Sequence, residues 1–352
     1  MLLSTYTSNR DNNFNLIRFV AASLVLYSHS FGLAVSGGQD PIRSVIGTTW
    51  GSIAVDVFFI TSGFLITGSY LTRNNITTFV RARILRIYPA LFVAIPFCVL
   101  LGAAVTTWSI FDYINLQTVR FSLKNTTLFF GADYHLPGVF LGNPENAING
   151  SLWTLPYEIW MYTILMLTMF VLTTLGKRIK FLSIRNVIGA LAVVAIMLHV
   201  SNKFIDYLPF HFFRLFAMFF VGSAFFVWKE KILLTKKWIY VSIPVIISPV
   251  ISEGCFTVTY NFLLPFLIIY LAYIPSGAIR NFNRLGDYSY GIYIYAFPVQ
   301  QSVELLWPNI SVFRMMGISF GFTLLLAILS WHLVEKRFLQ FKARRHTRAQ
   351  VA

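Results

Sequence analysis

Residues 51–71 read GSIAVDVFFITSGFLITGSYL, a run of 21 residues in which Asp56 is the only charged side chain. An α-helix needs about 20 mostly apolar residues to cross the hydrocarbon core of a bilayer. Four arginines follow within the next 15 residues: Arg73, Arg81, Arg83 and Arg86. Another apolar run comes directly after them. The alternation of long apolar runs with short basic segments predicts an all-α, polytopic membrane protein.

The composition of the whole chain agrees with this prediction. Hydrophobic residues make up 57% of its 352 positions and charged residues 12%, with a mean hydropathy of +0.67. A soluble domain carries about 25% charged residues. No polar linker, low-complexity tract or internal repeat divides the chain, so we predict a single membrane domain over residues 1–352.

Ten segments are apolar enough and long enough to be spanning helices. They lie at approximately 14–34, 51–71, 86–107, 152–175, 186–201, 211–228, 238–252, 258–275, 288–307 and 313–335. Lysine and arginine are concentrated in every second connection and in the tail, which predicts that both termini are cytoplasmic. The longest connection, 108–151, then lies outside, either as a solvated connector or as an ordered cap over a site.

The net charge of +15 resides in these short connections. It therefore indicates membrane orientation, and we exclude nucleic acid as a partner. The two cysteines, Cys98 and Cys255, fall in or beside apolar segments, and no Cys/His spacing resembles a metal site. We expect neither a disulfide framework nor a metal cofactor.

Charged side chains inside the predicted helices need a reason, because each costs at least about 2.5–3.5 kcal/mol near the bilayer centre. Arg18 and His29 share one face of the first helix, 11 residues apart, which is about 16 Å along its axis. His29 has the titration range of a general base for a hydroxyl group. The alternatives are an interfacial arginine whose head reaches the membrane surface and a histidine that bonds a neighbouring helix.

Glu158, in SLWTLPYEIW, lies about 9 Å below the outer face if its helix runs inward. That depth matches the depth of His29, and a carboxylate is what orients and stabilises an imidazolium. The alternative is a carboxylate that fixes the helix bundle through a backbone or tyrosine hydrogen bond.

Arg83 and Arg86, in RARILRIYP, form an i, i+3 pair at the cytoplasmic end of the third helix. Guanidinium pairs suit phosphate recognition because each binds two phosphate oxygens at once. Topology alone also places arginines at such a position, so both interpretations stay open.

Asp56, Ser62 and Gly63 share the second helix, with Asp56 a few residues below the outer face and the other two near its middle. Small residues at that depth allow close approach of a ligand or of another helix. The ninth helix, in GDYSYGIYIYAFPVQQ, carries Tyr290 and Tyr293 among several polar side chains. These tyrosines belong either to a site or to core packing with an interfacial rim.

Five of these segments, taken in order, resemble the membrane-bound acyltransferase-3 family, which O-acylates bacterial surface and secreted glycans. The matching motifs are Arg18–ten residues–His29, FFITSGFLI at 58–66, Arg83-Ile-Leu-Arg86 followed by Ile-Tyr-Pro, SLWTLPYE with Trp153 and Glu158, and SYGIYIYAFP with Tyr290 and Tyr293. The resemblance covers almost the whole chain. One position departs from it: many members carry a histidine where this chain has Ala296.

The resemblance implies an O-acyltransferase in the bacterial inner membrane. Acyl-coenzyme A, with acetyl-coenzyme A favoured on family grounds, would bind from the cytoplasm with Arg83 and Arg86 near its phosphates. The acceptor would be a hydroxyl of a surface polysaccharide or a lipid-linked glycan such as O-antigen. It would lie near His29, whose charge Arg18 and Glu158 would support.

The main alternative is a transporter or flippase of a glycan or acyl intermediate, in which the same buried charges would line a substrate path. Transporters often show inverted repeats, and this chain has no recognisable repeat.

Overall fold

The computed structural model of this protein describes residues 1–8, 11–175, 183–202, 210–237, 239–240, 242 and 253–340. Within these ranges nine helices have 18 or more residues, and no strand is present beyond an isolated bridge between Leu2 and Leu233. The nine helices are α1 Phe14–Ala34, α2 Trp50–Arg73, α3 Ile76–Val105, α4 Leu155–Leu175, α5 Ile184–Ser201, α6 Phe210–Val227, α7 Glu253–Tyr273, α8 Ser289–Leu306 and α9 Val312–Ser330.

The all-α membrane architecture predicted from the sequence is confirmed. Seven of the described helices, all but α6 and α8, are long and apolar enough to cross a bilayer. Helix α6 is apolar but shorter, and α8 carries tyrosine, glutamine and glutamate side chains. Both coincide with predicted spans, 211–228 and 288–307. The predicted span 238–252 lies almost entirely outside the described residues.

The helix that contains the third predicted span begins ten residues before the predicted start at 86. Helix α3 begins at Ile76 because the Asn75 side chain accepts a hydrogen bond of 2.8 Å from the Thr78 backbone N–H and caps the first turn. Only Asn74 and Asn75 then separate α2 from α3. Arg83 and Arg86 therefore lie two to three turns from the start of α3, and both line a cavity within the bundle.

Helix α2 is the most deeply buried of the seven and packs closely against α6. A Cβ atom added to Gly63 would lie 1.9 Å from the carbonyl oxygen of Phe219, and one added to Gly222 would lie 2.2 Å from that of Ile60. Glycine at both positions lets the two backbones touch, as small residues do in membrane helix pairs. For Gly63 this favours helix packing over ligand approach.

The segment between α3 and α4 is ordered. It contains the short helices Ile110–Tyr113 and Leu116–Thr127. Helix α8 holds its last part: the Gln301 side-chain amide donates hydrogen bonds of 2.6 Å to the carbonyl oxygens of Glu145 and Ala147. Of the two interpretations of this loop, the structure favours the ordered cap.

Candidate active site

One cavity, here called the arginine cavity, lies among α1, α2, α3, α4 and the start of α8 and has a volume of about 340 Å³. Three arginines line it, Arg18, Arg83 and Arg86. Its acidic lining residues are Glu158 and Asp287, and Glu335, just outside the lining, bonds Arg86. Three positive and three negative side chains thus meet at one end of the bundle.

The two arginines of the i, i+3 pair have different partners. Arg86 is engaged by two carboxylates: its Nη2 lies 2.6 Å from Oδ2 of Asp287 and its Nη1 lies 3.4 Å from Oε2 of Glu335. Among the described residues, no carboxylate lies within 4.0 Å of Arg83, whose guanidinium sits 5.7 Å from the ring centre of Tyr162. Its Nε is buried without a hydrogen bond. Arg83 therefore bonds no described carboxylate and keeps a free donor at Nε, with the Tyr162 side chain as its close neighbour.

Asp287 ties α1 and α3 to the start of α8. Burial alone would raise its pKa, but Arg86, Arg18 and hydrogen bonds from Ser289 lower the pKa to about 2. Oδ2 of Asp287 lies 3.7 Å from Nη1 of Arg18. The carboxylate is thus ionised throughout the physiological range and fixes the positions of two arginines.

Glu158 lies in the arginine cavity, so the structure does not bring it to His29. Its carboxylate accepts a hydrogen bond from the Tyr162 hydroxyl, one turn further along α4. The expected match in depth carried no information about lateral position, and Glu158 on α4 lines a different cavity from His29. Arg18 likewise faces Asp287 and makes no described contact with His29.

A second, much smaller cavity of about 40 Å³ follows; we call it the middle cavity. It shares Arg18, Ser62, Glu158 and Tyr290 with the arginine cavity. The predicted site residues Ser62 and Tyr290 therefore line the passage between the two.

Tyr293 closes the far end of the middle cavity. Its hydroxyl and that of Thr154 form a hydrogen bond of 2.6 Å. The ring of Tyr293 also packs edge-on against Phe58, with centroids 5.7 Å apart. These contacts make the middle cavity the narrowest part of the polar interior.

A third space, the histidine cavity, has a volume of about 670 Å³ and contains His29 and Trp153. The ordered cap lines it with Tyr134, His135 and Glu145. The ring of His29 meets Phe297 edge-on at 5.2 Å, and no described hydrogen bond engages either of its nitrogens. An imidazole with free nitrogens in a roomy cavity is able to accept a proton from a bound hydroxyl.

One face of α8 connects the three cavities. Tyr290 lines the arginine and middle cavities, Tyr293 the middle cavity and Phe297 the histidine cavity. These residues are spaced three and four apart, the spacing that puts side chains in a row along a helix. The cavities therefore follow one another along the bundle axis.

Asp56 stands apart from this row. Its Oδ2 accepts a hydrogen bond of 2.9 Å from the Tyr260 hydroxyl, and its Oδ1 lies 3.3 Å from Nε of Arg214. Sequence reasoning missed Arg214, although a lone arginine inside the apolar run HFFRLFAMFF is the signal that singled out Arg18. It also did not single out Asp287 or Glu335 as site residues.

Over the described ranges, no three His, Cys, Asp or Glu side chains are grouped closely enough to hold a metal ion.

Comparisons with known proteins bear on the chemistry. A family model described as an acyltransferase domain matches residues 11–332. An O-acetyl transferase of Shigella phage Sf6 is 29% identical over 343 residues, which cover 94% of this chain and 97% of the phage protein. Nodulation protein 10 of Rhizobium leguminosarum bv. viciae is 27% identical over 363 residues, covering 96% of this chain and 95% of that protein.

A shorter match is found to the acyltransferase MdmB of Streptomyces mycarofaciens, 52% identical over 42 residues, which cover 12% of this chain and 11% of that protein. No solved structure matches the chain.

Proposed function

Since the chain belongs to the membrane-bound acyltransferase-3 family and is a multi-pass O-acyltransferase, we propose that it carries an acetyl group from cytoplasmic acetyl-coenzyme A to a bacterial glycan. The acceptor is a hydroxyl of a surface polysaccharide or of a lipid-linked glycan such as O-antigen. The membrane is the bacterial inner membrane, with both termini in the cytoplasm. The observation that carries the proposal is the row of three cavities, with free guanidinium donors at one end and a free imidazole at the other.

The donor binds through Arg83. Its guanidinium has donors to spare, and such forks bind phosphate oxygens in pairs. Arg86, held by Asp287 and Glu335, supplies a fixed positive charge beside it. Glu158 and Tyr162 position Arg83 from the side of α4, with the tyrosine ring against the guanidinium. The phosphates of the donor thus rest in the arginine cavity.

The acyl thioester then reaches towards His29 through the middle cavity. Arg18 and His29 are 11 residues apart on α1, about 16 Å along the helix axis. The arm of the donor that carries the thioester passes Ser62 and Tyr290. It must then separate the hydroxyls of Thr154 and Tyr293, whose hydrogen bond closes the narrowest part of the path. Charged groups remain at the two ends, and the uncharged arm crosses the middle.

The chemical step takes place in the histidine cavity. His29 accepts the proton of the acceptor hydroxyl as its oxygen attacks the thioester carbonyl. The new C–O bond forms, the C–S bond breaks, and the proton passes from His29 to the leaving thiolate. The products are the O-acetylated glycan and free coenzyme A. Trp153 lies in the wall of the same cavity, where an aromatic face packs well against a sugar ring.

The experiment compares His29→Gln with the wild type by mass spectrometry of cell-surface glycans. Glutamine keeps the volume and the polar character but does not act as a base, so we expect at least a 100-fold loss of acetylation. The purified variant should still bind labelled acetyl-coenzyme A, because Arg83 lies in a different cavity. Normal acetylation by His29→Gln would overturn the assignment of the base.

A further inference from the structure

A fourth cavity adjoins the histidine cavity and takes no part in the acyl transfer described above. This space, the Asp56 cavity, has a volume of about 290 Å³. It shares Arg43, Thr49 and His211 with the histidine cavity, so the two are neighbours with a common wall. A group of the acceptor that extends sideways from His29 therefore has a place to go.

Arg214 presents free donors to this cavity. Asp56 approaches its Nε at 3.3 Å and is itself held by the Tyr260 hydroxyl. Within the described part of the chain, no hydrogen bond engages the two terminal nitrogens of Arg214. Asp56 thus fixes the guanidinium of Arg214 at its Nε atom and leaves the two terminal nitrogens for a ligand. Their N–H groups, side by side, match a carboxylate or a phosphate group.

The charges of the Asp56 cavity favour an anion. Among the described residues, its wall contains two guanidinium groups, Arg43 and Arg214, and one carboxylate, Asp56. Arg43 is exposed and has no carboxylate within 4.0 Å among the described residues. The described lining is therefore net positive even with both of its histidines neutral.

The part of the histidine cavity next to this common wall also suits a sugar. Trp153 and His211 pack with ring centroids 4.8 Å apart, and Tyr157 packs against Trp153 at 5.8 Å. These rings offer flat apolar surfaces beside the charged cavity. A sugar ring resting on them would direct a charged substituent towards Arg43 and Arg214.

We propose that the Asp56 cavity binds an anionic substituent of the acceptor glycan, a carboxylate or a phosphate, while the hydroxyl to be acylated lies at His29. This rests on the proposed function, and it adds that the acceptor is an acidic glycan. Arg43 and Arg214 are the binding residues, and Asp56 with Tyr260 positions Arg214.

The test titrates three probes into the purified full-length protein: glucuronate for a carboxylate, glucose 6-phosphate for a phosphate and glucose as the neutral sugar. Calorimetry reports binding of each. We expect at least one anionic probe to bind tenfold or more tightly than glucose, and the better one identifies the substituent. Arg43→Gln should weaken that binding about tenfold without changing the melting temperature, because the side chain is exposed and supports no other residue.

The matched control is Arg314→Gln, which removes an equally exposed arginine at the start of α9 that lines neither cavity. It should bind the probes like the wild type. Equal affinity for all three probes, or equal behaviour of the two arginine variants, would overturn the proposal. So would failure of every probe to bind at millimolar concentration.

Acetylation is measured separately, so the two proposals fail in different ways. Arg43-dependent binding of glucuronate by a protein that acetylates no glycan would refute the proposed function alone. Acetylation of a glycan without acidic groups would refute the anion site alone.

Discussion

Arg83 and Arg86 are three residues apart on one helix, yet their replacement should affect different properties. Replacing Arg86 should lower the stability of the protein, and replacing Arg83 should weaken donor binding. Arg86→Gln removes the cation that bonds both Asp287 and Glu335. The side chains of these carboxylates are only 12% and 2% exposed, so they would be left in a poorly solvated site. Breaking a buried ion pair from one side costs about 3–5 kcal/mol. Arg18, 3.7 Å from Asp287, offsets part of this, and we expect a loss near 3 kcal/mol.

A loss of that size lowers the melting temperature by about 4 °C in a protein of this length. Arg83→Gln leaves no carboxylate without a partner, so its melting temperature should stay within about 2 °C of the wild type. It should instead weaken donor binding. A charge-assisted hydrogen bond contributes about 1.5–3 kcal/mol, which corresponds to a rise of about 10- to 150-fold in the Kd for acetyl-coenzyme A.

Two assays on the same detergent-purified samples separate these effects: thermal melting and binding of labelled acetyl-coenzyme A at a fixed temperature below both transitions. The reasoning is refuted if Arg86→Gln melts like the wild type and loses the donor, while Arg83→Gln melts early and keeps it. Equal losses of both properties in both variants would show that the two arginines act as one phosphate site, against the different partners described here.

Two further predictions concern the fold. Gly63→Ala should severely reduce the yield of folded protein, because the new Cβ atom would lie 1.9 Å from a carbonyl oxygen of α6. The control Gly317→Ala should fold normally, because no atom lies within 4 Å of the position of its Cβ. Equal yields of the two variants in size-exclusion chromatography would contradict the close α2–α6 contact. Asp287 has a pKa lowered from 3.8 to about 2, so its contribution to stability is complete above pH 3.8 and is lost as the pH falls towards 2. The gap in melting temperature between the wild type and Asp287→Asn should therefore shrink over this window, and a gap independent of pH would speak against the ionic role.

Much of the architecture was predictable because the bilayer imposes a simple rule on sequence. The length of an apolar run predicts a spanning helix, and a charged residue within such a run predicts a side chain that faces the interior of the bundle. Arg18, Glu158 and Asp56 were identified in this way. Which helices lie side by side in the bundle cannot be predicted in the same way. Nothing in the spacing of His29 and Glu158 reports which neighbours their helices choose, and the structure places the two residues in separate cavities.

The ion-pair partners of the two arginines were equally unpredictable from the sequence. The i, i+3 spacing of Arg83 and Arg86 suggested equivalent roles, but Asp287 and Glu335, 201 and 249 residues away from Arg86, give it a different environment. Such long-range pairing depends on how the whole bundle packs. The start of α3 was missed for a local reason, the capping asparagine at position 75, which a search for apolar windows does not register.

The narrow contact between Thr154 and Tyr293 has a consequence for the cell's energy supply. Two water-accessible spaces joined by a wide polar channel would conduct protons and dissipate the electrochemical gradient across the membrane. The middle cavity, at about 40 Å³, has room for only about three water molecules. The hydroxyl oxygens of Thr154 and Tyr293, 2.6 Å apart, close one end of the space that these water molecules would occupy. We expect this closed contact to limit the flow of water and ions between the arginine cavity and the histidine cavity whenever no substrate separates the two hydroxyls.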